Sequence, residues 1–204
     1  SNTGPVLTLQ FSDTLEINES RIITFPTSID LSQGNNHSFR AWTDLPNDGN
    51  RSNDSAEARV SIYSQPFFNL PFEEDFDLFS LCPTTVNCSG TTCDLDNGWV
   101  NQTNNLFDNI DWRTNSGTTA SAGTGPVSDI SGNGNYLYLE ASGNCNFNTA
   151  SLLSPCINLS NAQQPELSFW FHMLGDSMGE LHVDILADGT WHEDIMIPLV
   201  GQQG

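Results

Sequence analysis

The stretch TGPVSDISGNGNYLY, Thr124–Tyr138, decides how the chain is read. Glycines at 125, 132 and 134, with Pro126, break any regular element and mark a loop. The residues that follow, NYLYLEA (Asn135–Ala141), alternate in side-chain character with period two, as a half-buried strand does. The same grammar continues downstream in ASLLSP (Ala150–Pro155), ELSFWFHM (Glu166–Met173), ELHVDILA (Glu180–Ala187) and WHEDIMIPL (Trp191–Leu199). Each run is short and bounded by Gly, Pro or polar turn formers. No segment of useful length places apolar residues at i, i+3, i+4 and i+7, so helices are not expected. The fold class is therefore all-β, built as two β-sandwich domains.

Upstream, strands are expected at Val6–Phe11, Arg21–Phe25, His37–Thr43 and Ala58–Tyr63, the last two joined across the polar stretch LPNDGNRSND. Four strands are few for a sandwich, so this domain, residues 1–65, is expected to be partial. SQPFFNLP reads as a Pro-bracketed connector, with the linker placed at 66–71. The second domain then runs over 72–204. It opens on FEEDFD, passes through a Cys-rich loop to WVNQTNNLFDNIDWRT, and crosses a Gly/Ser/Thr-rich loop before the strands above.

The 204 residues carry five Arg or Lys (all Arg) against 25 Asp and Glu, a net charge of −20. Such a surface repels nucleic acid and anionic membranes and attracts cations, Ca²⁺ above all. No run approaches 18 apolar residues, so no membrane insertion is expected. Five cysteines without metal-ligand spacing point to an oxidising compartment and disulfides. Cys145 and Cys156 flank a short segment that a bridge could close. Two of Cys82, Cys88 and Cys93 should also pair, Cys88 with Cys93 for preference and Cys82 with Cys93 close behind.

Several motifs of the second block stand in one order: EEDF (Glu73–Phe76), Asp111–Trp112, Thr124–Tyr138, ASLLSP, LSFWFHMLG (Leu167–Gly175), GELHV (Gly179–Val183) and LVGQQG (Leu199–Gly204). In that order they resemble a MAM domain, the adhesive module of meprins, neuropilins and receptor tyrosine phosphatases. The resemblance implies a jelly roll with a structural Ca²⁺, Asp75 and Asp129 matching the family's ligand positions and Asp77 a secondary candidate. The family's last strands are missing after Gly204, so this domain too is expected to be partial. CNFNTASLLSPCINLS resembles MAM modules of secreted bacteroidete proteins. The first block, through TFPTSIDLS and FRAWTDLPNDGN, resembles an immunoglobulin-like CARDB or fibronectin type III domain. Thr14, Ser55 and Ser177, in DTL, DSA and DSM, match the O-glycosylation acceptor pattern of such secreted bacterial proteins.

Catalysis is not expected. His172, His182 and His192 fall on three different strands, and neither a nucleophile elbow nor a metal-binding helix accompanies them. The acids at 73–77 cluster at a strand start rather than across a cleft, unlike a glycosidase pair. The chain reads as a secreted or cell-surface adhesion or scaffold segment contacting other extracellular proteins. The rival readings are a carbohydrate-binding module for surface glycans, or an accessory segment of a secreted protease.

Overall fold

The computed structural model describes residues 6–10, 14–17, 19–31, 36–62, 65–88, 92–143, 145, 147–175 and 178–203. It is all-β, with no α-helix among these residues, and divides into two compact units, Ser1–Tyr63 and Ser64–Gly204.

In the first unit, β1 (Asn36–Trp42) and β2 (Ser55–Ser61) form one antiparallel hairpin, in register from Asn36↔Ser61 to Trp42↔Ser55. A short 3-10 turn, Arg51–Asn53, closes its end, with the Asn50 side chain accepting from the Ser52 backbone N–H. The strands expected at Val6–Phe11 and Arg21–Phe25 do not form among the described residues. No described side chain of this unit is buried, so the hairpin has no sandwich partner there to pack on.

The second unit begins earlier than expected. Residues 66–71 are not a linker: β3 (Phe67–Asn69) pairs in parallel with a strand nearly ninety positions on, Cys156–Asn158. The Gln65 side chain donates to the carbonyls of Gly98 (3.2 Å) and Ser154 (2.8 Å), and the Cys156 N–H to Pro66 (3.1 Å). The prolines bracket a strand because Pro66 and Pro71 stand just outside the ladder, where no N–H is needed.

Inside this pairing lie two nested antiparallel pairs. β4 (Val100–Asn101) pairs with β7 (Leu152–Leu153), and β5 (Arg113–Ser116) with β6 (Asn135–Tyr138); β8 is the Cys156–Asn158 strand already met. The remaining strands make one long hairpin. β9 (Glu180–Leu181) pairs with β12 (Leu199–Val200), and β10 (Ile185–Ala187) with β11 (Thr190–His192). Its tip is Asp188–Gly189, both at positive φ (51° and 74°), the two-residue turn whose twist matches the strands it joins. Met173 bridges Gln203 at the far end. The rest of the expected strand Glu166–Met173 finds no ladder partner among the described residues, so Phe169, Trp170 and Phe171 are exposed.

The core gathers around β5. Phe79, Cys93, Ile110, Tyr138 and Cys145 are buried there, and so are Arg113, Thr114 and Asn115. Two disulfides clasp it, Cys82–Cys93 and Cys88–Cys145, with Cα–Cα separations of 5.8 and 6.1 Å. This corrects the expected Cys145–Cys156 bridge and the preferred Cys88–Cys93, while the alternative Cys82–Cys93 is the one that forms. The segment between Cys145 and Cys156 is not a small loop: residues 149–153 run extended, bonded to Asn109, Gln102 and β4. Cys145 is carried into the core at one end while Cys156 stays exposed and free at the other.

Closing an 11-residue and a 57-residue separation stabilises by about 3 and about 4 kcal/mol in the chain-entropy account. Peptide mapping without reduction is expected to recover 82–93 and 88–145 cross-links, with Cys156 alone labelled by maleimide. A 145–156 cross-link would contradict the arrangement. Cys88→Ser with Cys145→Ser should cost more stability than Cys82→Ser with Cys93→Ser, as read by urea unfolding.

Candidate functional site

The loop quoted first, residues 124–134, is built around the Asp129 carboxylate. Its Oδ1 accepts the backbone N–H of Gly132 (3.0 Å) and Gly134 (2.7 Å), and its Oδ2 that of Ser131 (2.9 Å). The Ser131 hydroxyl, and then the N–H groups of Ser131, Gly134 and Gly132, hold this carboxyl at about 2, below its ordinary 3.8, against an opposing push from desolvation.

Asp77 reaches the same place from the start of the unit. Its Oδ1 accepts from Asn135 N (2.8 Å), while the Asn135 amide donates to the carbonyls of Asp77 (3.2 Å) and Phe79 (3.3 Å). Gly134 is where the two acids meet. A Cβ there would collide with Asp77 Oδ1 and stand 2.8 Å from Asp129 Oδ2. Only glycine lets both carboxylates close on the backbone. Among the described residues no arginine or histidine forms an ion pair with either.

Asp75, expected as a principal ligand, has another place: its Oδ1 accepts the Asp77 N–H (3.1 Å) and shapes the turn. In a strand, residues 75 and 77 would share a face. Phe76 instead takes φ 64°, which breaks the alternation and leaves Asp77 as the acid facing Asp129. The sequence reading missed Asn135 and Gly134, although the GNGN repeat at 132–135 was their signal. Hard oxygen donors of this kind suit Ca²⁺ rather than a softer metal. Among the described residues no three His, Cys, Asp or Glu side chains form a metal-holding group, so this is a two-carboxylate arrangement.

His172, His182 and His192 are all exposed. His182 Nδ1 meets Asp194 Oδ1 at 2.6 Å and its Nε2 meets Glu180 Oε2 at 3.2 Å. Asp194, more than any other group, raises the His182 pKa. With both ring nitrogens on carboxylates, the imidazole ties one arm of the long hairpin to the other. Trp99 packs edge-on to Phe76 (5.3 Å), and Trp112 donates its indole N–H to the Ala150 carbonyl (3.3 Å), so both are structural.

In the first unit Arg40, Trp42, Thr43, Asp44, Arg51, Asp54 and Ser55 line an open groove of about 420 Å³. Ser55 stands at the head of β2 and Thr14 is exposed; Ser177 lies outside the described residues.

A family model described as MAM domain, meprin/A5/mu, matches residues 89–204. Human neuropilin-1 is 33% identical over 82 residues, 40% of this chain and 9% of that protein. The mouse MAM domain-containing glycosylphosphatidylinositol anchor protein 1 is 35% identical over 134 residues, 62% of this chain and 12% of that protein. The chain thus spans about a tenth of the length of these curated relatives. They are vertebrate proteins and lend no support to a bacteroidete-like variant. No solved structure gives a significant match. With the family model covering more than half of its residues, the chain belongs to the MAM domain family.

Proposed function

We propose that this chain is a non-catalytic extracellular segment whose MAM module contacts other proteins at or near a cell surface. The observation that carries the reading is the unpaired stretch 166–172. Its backbone has no ladder partner among the described residues, Trp170 is 80% exposed, and the Phe169 and Phe171 rings lie tilted against each other (centroids 6.2 Å apart). An open edge flanked by large apolar side chains is a surface a partner strand can cover. Disulfides agree with an oxidising compartment, and no helix among the described residues is long and apolar enough to cross a membrane. One relative, the mouse MAM domain-containing glycosylphosphatidylinositol anchor protein 1, is by its name an anchor protein, which favours this setting.

A carbohydrate-binding role is the second reading, favoured by the groove in which exposed Trp42 stands beside Arg40 and Arg51. An exposed indole in an open groove with polar side chains beside it is suited to stacking on a sugar ring.

For Ca²⁺, Asp77 and Asp129 are the residues that would hold the ion, with Asp75 shaping the turn that delivers Asp77. Bound there, the ion would neutralise two carboxylates that share no cation and tie the start of the unit to the 129 loop.

Binding of the immobilised chain to cell-surface material is expected to fall at least tenfold in Trp170→Ser and to disappear when the surface is treated with protease. Loss on glycosidase treatment, with protease without effect, would transfer the function to glycan recognition. Asp129→Asn should lower the melting temperature at neutral pH and blunt the rise given by millimolar Ca²⁺. Because the folded pKa is depressed, the stability from Asp129 is present above 3.8 and lost as pH falls through about 2. The gap between wild type and Asp129→Asn should therefore narrow across that window. An equal gap at both ends, with an unchanged response to Ca²⁺, would remove Asp129 from the site.

A further inference from the structure

We propose a second cation site, buried beneath the turn at residues 103–111, in which Asp108, Asp111 and Asn104 supply oxygen ligands to a hard divalent ion such as Ca²⁺. It is separate from the Asp77–Asp129 pair and does not depend on the functional reading above.

Asp108 is the observation that requires an explanation. Its residue is only 4% exposed, and one oxygen, Oδ2, accepts the Ser151 N–H at 2.7 Å. The other, Oδ1, is buried with no hydrogen-bond partner. A buried carboxylate oxygen without a donor costs free energy, more so than a neutral group when the carboxylate is charged. Asn104 repeats the pattern: its Oδ1 is also buried and unpartnered. The chain sets these residues side by side, since Asn104 and Asp108 are bridge partners and the Asn105 N–H bonds the Asp108 carbonyl at 2.8 Å.

Asp111 completes the group. It is 5% exposed; its Oδ1 takes the Asn104 amide N–H at 2.5 Å and its Oδ2 the Cys93 N–H at 3.0 Å. Two buried carboxylates therefore lie close enough to repel each other, with no cationic side chain paired to either among the described residues. Burial pushes the Asp108 carboxyl above its ordinary range, and the Asp111 charge adds to the rise. A divalent ion removes both costs together.

The donor set defines the ion. All the candidate atoms are oxygens, and the nearby Cys93 sulfur is consumed in its disulfide, so zinc and copper are poorly served. Ca²⁺ accepts carboxylate and Asn carbonyl oxygens together and completes its shell with water, for which half-buried Asn104 leaves access. The 103–111 turn itself is pinned on its other side by Asn109, whose Oδ1 accepts the Thr149 N–H (3.1 Å) and hydroxyl (3.3 Å). The cage is thus held without the ion.

The test is titration with Ca²⁺, and separately with Tb³⁺ read by tryptophan-sensitised luminescence, of the chelator-treated chain carrying Asp129→Asn. One binding event is expected to remain in that background. Adding Asp108→Asn should weaken it at least tenfold, and Asn104→Ala should weaken it too. In EDTA, Asp108→Asn should melt no lower than its parent, because it removes a buried charge; in Ca²⁺ it should melt lower. Absence of any binding event in Asp129→Asn would overturn the proposal. So would an event that survives both Asp108→Asn and Asn104→Ala unweakened. An Asp108→Asn chain that loses equal stability in EDTA and in Ca²⁺ would also overturn it, leaving Asp108 a purely structural acceptor of the Ser151 N–H.

Discussion

Strand β5 imposes the constraint on which the second unit depends, because it is polar and yet buried. Thr114 is fully enclosed and Arg113 nearly so. A guanidinium out of water is costly unless its donors are met. Here Nη1 donates to the Thr85 hydroxyl (3.2 Å) and Nη2 to the Cys88 carbonyl (3.3 Å), while Nε is buried without a partner. Those acceptors lie in the Cys-rich loop, so the disulfides that fix that loop also fix the partners of Arg113. Cys82 in turn donates its N–H to the Thr114 carbonyl at 3.0 Å. Asn101 continues the same economy, its side chain bonding both the N–H and the carbonyl of Trp112 as a neighbouring strand would.

The acidic composition has a structural meaning that net charge alone does not reveal. The strands here are two to four residues long outside the first hairpin, so ladders satisfy only a fraction of the backbone. Carboxylates take over that work. Asp77 receives Asn135 N, Asp96 receives Ser80 N, Asp108 receives Ser151 N, Asp111 receives Cys93 N, Glu140 receives Ser142 N, and Asp129 receives three. Charge-assisted bonds of this kind are stronger than neutral ones. They also concentrate negative charge inside loops.

Local pattern was legible in the sequence, and long-range partnership was not. Period-two alternation located β1, β2, β6, β10 and β11, and the order of motifs pointed to the family. An Asp-Gly pair at 188–189 marks the tip of the long hairpin in plain view. What alternation could not convey is which strand finds a partner: Glu166–Met173 alternates as well as any, yet stays unpaired over most of its length. Spacing offered Cys82–Cys93 as an alternative but could not point to Cys88–Cys145, whose members stand 57 positions apart. That Asp77, two residues after Asp75, is the acid bonded to Asn135 beside the 129 loop goes with one positive φ at Phe76, a conformation no side-chain pattern announces. Pro66 and Pro71 misled for a related reason, since a strand of three residues fits between two prolines as easily as a linker does.

If the unit is organised around β5, its stability should be graded outward from that strand. Backbone amide hydrogen exchange, resolved by residue, tests this most directly. The account predicts the strongest protection at Arg113–Ser116 and Asn135–Tyr138, and weak protection at β9–β12. Protection at β9–β12 equal to or greater than that of β5–β6 would contradict it.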